Sequence, residues 1–144
     1  MPSTTETPPA VAAPTPWILI VDDEVDNREL LAEFLEYAGY HARTCGTGRE
    51  AHAVLDEWPP PCLVIADVHM ADIDGRTFVQ QLRRREGMAE LPVVFVTGVD
   101  STRLGPMREA VLTKPVDLDV LVKLVSNHCD DGHCDAGGAP SARS

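Results

Sequence analysis

Short runs of apolar residues recur along this chain, and the segments between them carry apolar residues at helical spacing. Runs of four or five residues that are apolar on both faces are typical of strands buried between layers of helices. The pattern predicts five strands, at residues 17–21, 40–44, 63–66, 93–96 and 110–113. The second run is less apolar than the others, so we expect it near an edge of the sheet.

Helical patterns fill the intervals between these strands. In the first interval Leu31 and Leu35 lie one turn apart among charged residues, and Gly39 ends the pattern as a C-terminal glycine does. Residues 99–109 carry the weakest pattern, because Gly105 and Pro106 fall in its middle. We therefore expect helix 4, between the fourth and fifth strands, to be short or irregular.

The alternation of strands and helices predicts an α/β fold in which a parallel sheet has helices on both faces. Residues 17–127 contain all of these patterns and are expected to form one domain. Residues 1–16 are proline-rich and lack periodic apolar positions, which predicts a disordered N-terminal tail. Residues 128–144 are glycine-rich and poor in apolar side chains, which predicts a flexible C-terminal tail.

The charge balance narrows the classes of partner. The formal net charge is −11 and the pI is about 4.7, so the surface repels phosphate backbones and anionic lipids. We expect neither nucleic acid nor membrane as a partner. The sequence contains no pattern of a signal peptide and no apolar run near ~20 residues, which favours a cytoplasmic location.

Four cysteines allow two disulfide bridges by arithmetic, but a reducing cytosol makes a disulfide framework unexpected. A zinc site in the C-terminal tail is a second possibility, because two His-Cys pairs lie five residues apart there. The spacing matches no standard zinc finger, so a solvated tail is the favoured interpretation. These pairs are His128, Cys129, His133 and Cys134.

Unusual polar residues follow four of the five predicted strands. Asp22 and Asp23 follow the first, Asp67 ends the third, Thr97 ends the fourth and Lys114 follows the fifth. In a parallel α/β sheet ligands bind at the carboxyl ends of the strands, so these side chains are expected on one edge. The simpler alternative is that Lys114 only pairs with the carboxylates and Thr97 only ends a strand.

Three clustered carboxylates repel one another, and a hard cation such as Mg²⁺ relieves that repulsion. Asp67 is then a candidate nucleophile, because carboxylates form acyl phosphates in covalent catalysis. Lys114 is placed to neutralise phosphoryl oxygens, and the Thr97 hydroxyl is placed to hydrogen-bond another. The sequence thus indicates magnesium-dependent phosphoryl transfer to Asp67.

From residue 17 to about 125 the chain resembles a response-regulator receiver domain of two-component signalling. The motifs that carry the resemblance are VDDE after the first strand, D-x-x-M with DG downstream after the third, VTG at the fourth and KP at the fifth. The segment DNRELLAEFLEYAGY also resembles the first helix of that family. The implied fold is flavodoxin-like, a doubly wound five-stranded parallel sheet of order 2-1-3-4-5.

The resemblance also implies roles for individual residues. Asp67 is expected to accept phosphate from the phosphohistidine of a sensor histidine kinase or phosphotransfer protein. The peptide bond before Pro115 is expected to be cis. Mg²⁺ is expected on Asp22, Asp23, Asp67 and the backbone carbonyl of His69, with Thr97 and Lys114 sensing the phosphoryl group.

The chain departs from the family pattern at several positions. Ala71 stands where the family usually has proline, and Ile73 where it usually has methionine, and neither change touches the chemistry. Val111 occupies the position, three before Lys114, where a switching aromatic is common. The segment between Thr97 and Lys114 is also shorter than usual by about a helical turn. These changes bring the ordinary output face into question.

Three classes of function compete. The leading interpretation is a stand-alone, non-enzymatic phosphoacceptor whose phosphorylation regulates binding to a downstream protein, with homodimer formation possible. The second is a phosphate-independent interaction module with the same fold, which the missing aromatic favours and the intact set of polar residues opposes. The third is a phosphatase or phosphotransferase, which needs a second acid near the nucleophile, whereas position 69 is histidine.

Overall fold

The structure, a computed structural model, describes residues 16–98 and 108–130. Strands and helices alternate through these ranges, except that the described residues contain no helix between the fourth and fifth strands. The strands are β1 (Trp17–Val21), β2 (His41–Cys45), β3 (Leu63–Asp67), β4 (Val93–Thr97) and β5 (Ala110–Thr113). The helices are α1 (Val25–Tyr37), α2 (Gly48–Glu57), α3 (Gly75–Arg83) and α4 (Leu118–Val125).

All five strands pair in parallel in the order β2-β1-β3-β4-β5. This confirms the doubly wound sheet and the strand order implied by the resemblance. β1, β3 and β4 are fully buried, as their continuous apolar sequences predict. β2 lies at an edge and exposes alternate residues. The chain reverses its direction of winding between β1 and β3, which is where such sheets bind ligands.

The sheet separates two apolar clusters, because successive side chains of a strand point to opposite faces. On one face Leu19 and Val64 pack with residues of α2 and α3, including Phe78. On the other face Ile20 and Ile65 pack with residues of α1 and α4. Helices therefore cover both faces of the sheet, and the buried polar residues of the described chain, Asp22, Asp67 and Thr97, lie at the carboxyl ends of the strands.

Carboxylate and hydroxyl side chains cap the N-termini of three helices. The Thr47 side chain accepts a hydrogen bond from the backbone of Glu50 and caps α2. Asp74 caps α3 and Asp117 caps α4 in the same way. Each cap satisfies backbone N–H groups that have no partner inside the helix.

One expectation about the cysteines is wrong. Cys62 and Cys129 form a disulfide, with their sulfur atoms 2.04 Å apart and their Cα atoms 5.3 Å apart. A π-helical turn, Ser126–Asp130, continues α4 into the first residues of the predicted tail, and Cys129 in this turn is completely buried. The apolar stripe of α4 extends through this turn, and it carries Cys129 to the sheet beside Cys62.

The disulfide also affects one of the candidate zinc ligands. The sulfur of Cys129 is not a thiolate while it is bonded to Cys62, so it is not a metal ligand in that form. His133 and Cys134 lie outside the described residues. Residues 1–15 of the expected N-terminal tail also lie outside them, as do residues 99–107, where a short or irregular helix is expected between β4 and β5. Within the part of the chain that the structure describes, no helix is long and apolar enough to cross a membrane.

Candidate functional site: an acidic edge at the strand ends

Asp22 is the most buried carboxylate of the site, with no exposed surface. It follows β1 directly, and α1 begins three residues later, so the backbone turns back over its side chain. The Glu24 amide donates to Oδ1 at 2.9 Å, and the Asn27 side-chain amide donates to Oδ2 at 2.6 Å. These two bonds orient the carboxylate, while the neighbouring Asp23 remains exposed to solvent.

Asp67 is the last residue of β3 and is 4% exposed. The His69 amide donates to its Oδ1 at 3.1 Å, and the Lys114 ammonium donates to its Oδ2 at 3.1 Å. Gly75 packs closely against the backbone of Asp67. A Cβ at position 75 would collide with the carbonyl oxygen of Asp67. The start of α3 is thus packed directly on the strand end that carries Asp67.

Lys114 brings a cation to these carboxylates from β5. Its Nζ lies 3.3 Å from Asp22, 3.1 Å from Asp67 and 2.7 Å from Glu24. Its backbone N–H donates to the carbonyl of Thr97 at 2.7 Å, which ties the end of β5 to the end of β4. The Lys114–Pro115 peptide bond is cis, the form expected from the resemblance.

The ionisation of Asp67 and Lys114 reflects burial and the surrounding charges. Burial raises the pKa of Asp67, and the Asp22 carboxylate adds to the rise, while hydrogen bonds from His69 and Lys114 oppose it. Burial disfavours the Lys114 ammonium, but its hydrogen bonds to Glu24 and Asp67 outweigh this effect and raise its pKa. Lys114 is therefore charged at neutral pH, and this one cation faces an excess of acidic side chains: Asp22, Glu24 and Asp67.

A divalent cation fits this excess. Carboxylate oxygens of Asp22, Asp23 and Asp67 all lie within 4.8 Å of one another. Oxygen ligands from one or two carboxylates, completed by waters, are what Mg²⁺ takes in proteins. Asp22 and Asp67 are buried, so no bulk water compensates their repulsion, and the set of donors suits a hard cation.

The remaining predicted residues lie on β4, on β5 and directly after β3. Thr97 is fully buried at the end of β4, next to β3 in the sheet. Val111 is half-buried on β5, pairs with Phe95 and packs against the core face shared with α2 and α3. His69 is exposed and contacts the site through its backbone, as its amide bond to Asp67 illustrates.

Sequence reasoning missed two residues of the site. Glu24 forms the shortest contact of Lys114, and Asn27 forms the shortest contact of Asp22. Both lie within five residues of Asp22, at the start of α1. Their acidic and amide side chains, so close to Asp22 in sequence, are the signal that could have identified them as part of the site. Their roles depend on the direction in which α1 leaves the strand.

The loop between β3 and α3 is fastened to a second helix by Asp72. Its two carboxylate oxygens accept hydrogen bonds from the backbone amides of Gly48 and Arg49, each at 3.0 Å. Desolvation opposes ionisation of this exposed carboxylate, but the backbone hydrogen bonds that it accepts prevail and lower the pKa of Asp72. The carboxylate therefore anchors the loop after Asp67 to the N-terminus of α2, where negative charge is favoured.

Replacing Asp72 by alanine is expected to lower the free energy of unfolding by about 1 kcal/mol, the usual cost of losing a helix cap. Because the folded-state pKa is depressed, this contribution is complete above the unfolded pKa of about 3.9 and is lost as the pH falls through the folded pKa. Urea unfolding at pH 7 and near pH 2.5 measures both effects. Glu90→Ala, at an exposed carboxylate before β4, is the control. An equal loss at the two pH values contradicts the anchoring role.

The fold and the acidic edge define a class: doubly wound α/β proteins with a cluster of carboxylates at the carboxyl ends of their strands. A model of the response regulator receiver domain matches residues 18–126. The chain therefore belongs to the response regulator receiver domain family, the signalling domain of two-component systems.

Individual relatives support this membership. Response regulator Rre1 of Synechocystis sp. is 37% identical over 116 residues, which cover 76% of this chain and 50% of that protein. Response regulator receiver protein CpdR of Brucella abortus is 34% identical over 110 residues, covering 73% of this chain and 89% of CpdR. The chain thus spans half of Rre1 and most of CpdR.

A solved structure agrees with the sequence relatives. The crystal structure of a response regulator receiver protein from Pseudomonas putida is 31% identical and superimposes with a TM-score of 0.69. The match covers 80% of this chain and 98% of that one.

Proposed function

We propose that this domain is the phosphoacceptor of a His-Asp phosphorelay and that Asp67 receives the phosphoryl group. The observation that carries the proposal is the contact between a buried strand-end carboxylate and a lysine, Asp67 with Lys114 at 3.1 Å, beside the Asp22–Asp23 pair. A carboxylate nucleophile, a cation for the phosphoryl oxygens and ligands for a metal are the parts that this transfer needs.

In the proposed step an Asp67 oxygen attacks the phosphorus of a phosphohistidine on a sensor histidine kinase or phosphotransfer protein. The new bond joins this oxygen to phosphorus, and the phosphorus–nitrogen bond to histidine breaks. Mg²⁺, held by Asp22, Asp23, Asp67 and the His69 backbone carbonyl, supplies charge neutralisation when bound. The proposed roles of Lys114 and Thr97 are to bind phosphoryl oxygens through the ammonium and the hydroxyl.

The proposed output is binding to a downstream protein, with no catalysis of a small-molecule reaction. The negative net charge supports a protein partner over nucleic acid. Half-buried Val111 offers no aromatic ring to swing inward at β5, so we propose that the signal leaves by another change at this face. A cytoplasmic location suits a partner kinase of this kind, and homodimer formation through the same face is also part of the proposal.

Incubation with acetyl phosphate and Mg²⁺ tests the proposal by intact-mass analysis. Wild-type protein is expected to gain the mass of one phosphoryl group, and the gain is expected to need Mg²⁺. Asp67→Asn is expected to gain none, because an amide is not a nucleophile of this kind. Asp26→Asn, at an exposed carboxylate in the first turn of α1, is the control and is expected to label normally.

A labelled Asp67→Asn variant contradicts the assignment of the acceptor. Absence of label in wild-type protein, under conditions that label a CpdR-like receiver, contradicts the phosphoacceptor function. That second result favours the alternative, a receiver-fold interaction module that works without phosphate.

A further inference from the structure

The Cys62–Cys129 disulfide lies at the end of the sheet opposite the acidic edge. Cys62 immediately precedes β3, and its backbone amide donates to the carbonyl of Trp17, the first residue of β1, at 2.8 Å. Asp67 ends the same strand, five residues later. The disulfide therefore belongs to a region of the molecule that the phosphoacceptor function does not use.

The bond joins elements that are 67 residues apart in sequence. One end is the start of β3, in the middle of the sheet, and the other is the turn Ser126–Asp130, the last described segment of the chain. Cys129 is completely buried and packs in the same apolar cluster as Leu121 and Val125 of α4. Its position thus couples the C-terminal turn to the centre of the sheet.

The two cysteines differ in access. Cys62 is partly exposed, whereas Cys129 has no exposed surface. Of the two residues, Cys62 is therefore the one that has surface in contact with solvent. Cys45 is the third described cysteine, and burial raises the pKa of its thiol to about 11. Because the thiolate is the reactive form, Cys45 is inert at neutral pH.

We propose that Cys62 and Cys129 form a reversible redox site whose co-reactant is a low-molecular-weight disulfide or thiol. The oxidised form fastens the turn Ser126–Asp130 to the start of β3, and the reduced form lacks this covalent link. In a reducing compartment the dithiol is the resting form, so oxidation is the event that closes the link.

Oxidation by glutathione disulfide balances in two exchanges. The Cys62 thiolate attacks one sulfur of glutathione disulfide, forming a mixed disulfide and releasing one glutathione thiolate, which takes up a proton. The Cys129 sulfur then attacks the Cys62 sulfur, the bond to glutathione breaks, and the second glutathione leaves with the proton of Cys129. The protein loses two electrons and two protons, and glutathione disulfide is reduced to two thiols.

Peptide mapping of the full chain in a Cys134→Ser background tests the pairing, because this substitution removes a competing thiol of the C-terminal segment. After oxidation with glutathione disulfide and alkylation in denaturant, we expect a linked Cys62–Cys129 peptide and alkylation of Cys45 alone. A glutathione adduct that persists on Cys62, or a link that involves Cys45, overturns the proposal.

Hydrogen exchange of the oxidised and reduced forms tests whether the disulfide restrains the turn Ser126–Asp130. Reduction is expected to lower the protection of amides in residues 124–129 by about tenfold or more, because the link no longer opposes opening of the turn. Cys62→Ser is expected to match the reduced form, and Cys45→Ser is expected to retain the difference between the two forms. If Cys62→Ser does not fold, wild-type protein treated with a phosphine reductant provides the reduced state. Equal protection in both states overturns the proposal.

Discussion

Alanine at position 75 is expected to destabilise the domain by about 3 kcal/mol, at the upper end of the cost of overpacking. The added Cβ would collide with the backbone carbonyl of Asp67 and would lie 2.9 Å from the Cα of Val68. Neither atom belongs to a flexible side chain, so relief requires movement of the strand end or of α3. Gly75 also donates its amide to the Val68 carbonyl at 2.7 Å, and the same movement would weaken that bond.

The functional consequence follows from the position of the collision. Displacement of the Asp67 backbone moves its carboxylate relative to Lys114 and to Asp22, so affinity for Mg²⁺ is expected to fall together with stability. Urea unfolding measures the first effect and calorimetric titration with Mg²⁺ measures the second.

Gly98→Ala is the matched control for this substitution. Among the residues that the structure describes, a Cβ at Gly98 meets no atom within 4 Å, and its backbone does not adopt the left-handed conformation that disfavours alanine. We expect its stability to stay within about 0.5 kcal/mol of wild type, as for most surface substitutions. Equal stabilities for the two alanine variants would show that the contact between Gly75 and Asp67 places no constraint on this loop.

Lys114→Met is expected to lower the free energy of unfolding by about 3 kcal/mol at neutral pH, the lower end of the range for removing one partner of a buried ion pair. The Lys114 side chain is 17% exposed, and those of Asp22 and Asp67 are 1% and 6% exposed. Methionine fills much of the same volume but leaves both carboxylates without their cation. The loss therefore measures charge rather than packing.

The pH dependence of Lys114→Met follows from the direction of the pKa of Asp67. Burial already raises this pKa, and removal of the ammonium raises it further. When the folded-state pKa of a carboxyl is raised, the folded state binds more protons than the unfolded state between the two pKa values. The free energy of unfolding therefore decreases as the pH rises through this range. The deficit of the variant is thus expected to shrink as the pH falls and Asp67 becomes protonated.

Mg²⁺ provides the complementary test. A divalent cation replaces part of the missing charge, so millimolar Mg²⁺ is expected to restore more stability to Lys114→Met than it adds to wild type. Lys123→Met, at an exposed lysine of α4, is the control and is expected to behave as wild type throughout. A deficit that is independent of both pH and Mg²⁺ would contradict the electrostatic role of Lys114.

The local pattern of the chain determined the architecture and the location of the site. Continuous apolar runs predicted β1, β3 and β4 as buried strands, and the structure confirms them. The runs end abruptly at Asp22, Asp67 and Thr97, and parallel strands bring their carboxyl ends to one edge. The convergence of the acidic residues therefore followed from topology, while the roles assigned to them remain predictions.

Contacts between distant elements were decided only by the tertiary structure. Asp72 caps a helix 24 residues earlier, and Arg85 donates to the imidazole of His52, 33 residues away, which joins α2 to the region after α3. Cys62 meets Cys129 because the apolar stripe of α4 continues into the last turn. Periodicity predicts which face of an element is buried, but the partner across that face depends on the positions of both elements. The local pattern of the chain therefore identified the acidic edge, whereas the disulfide and the loop anchor required the packed fold.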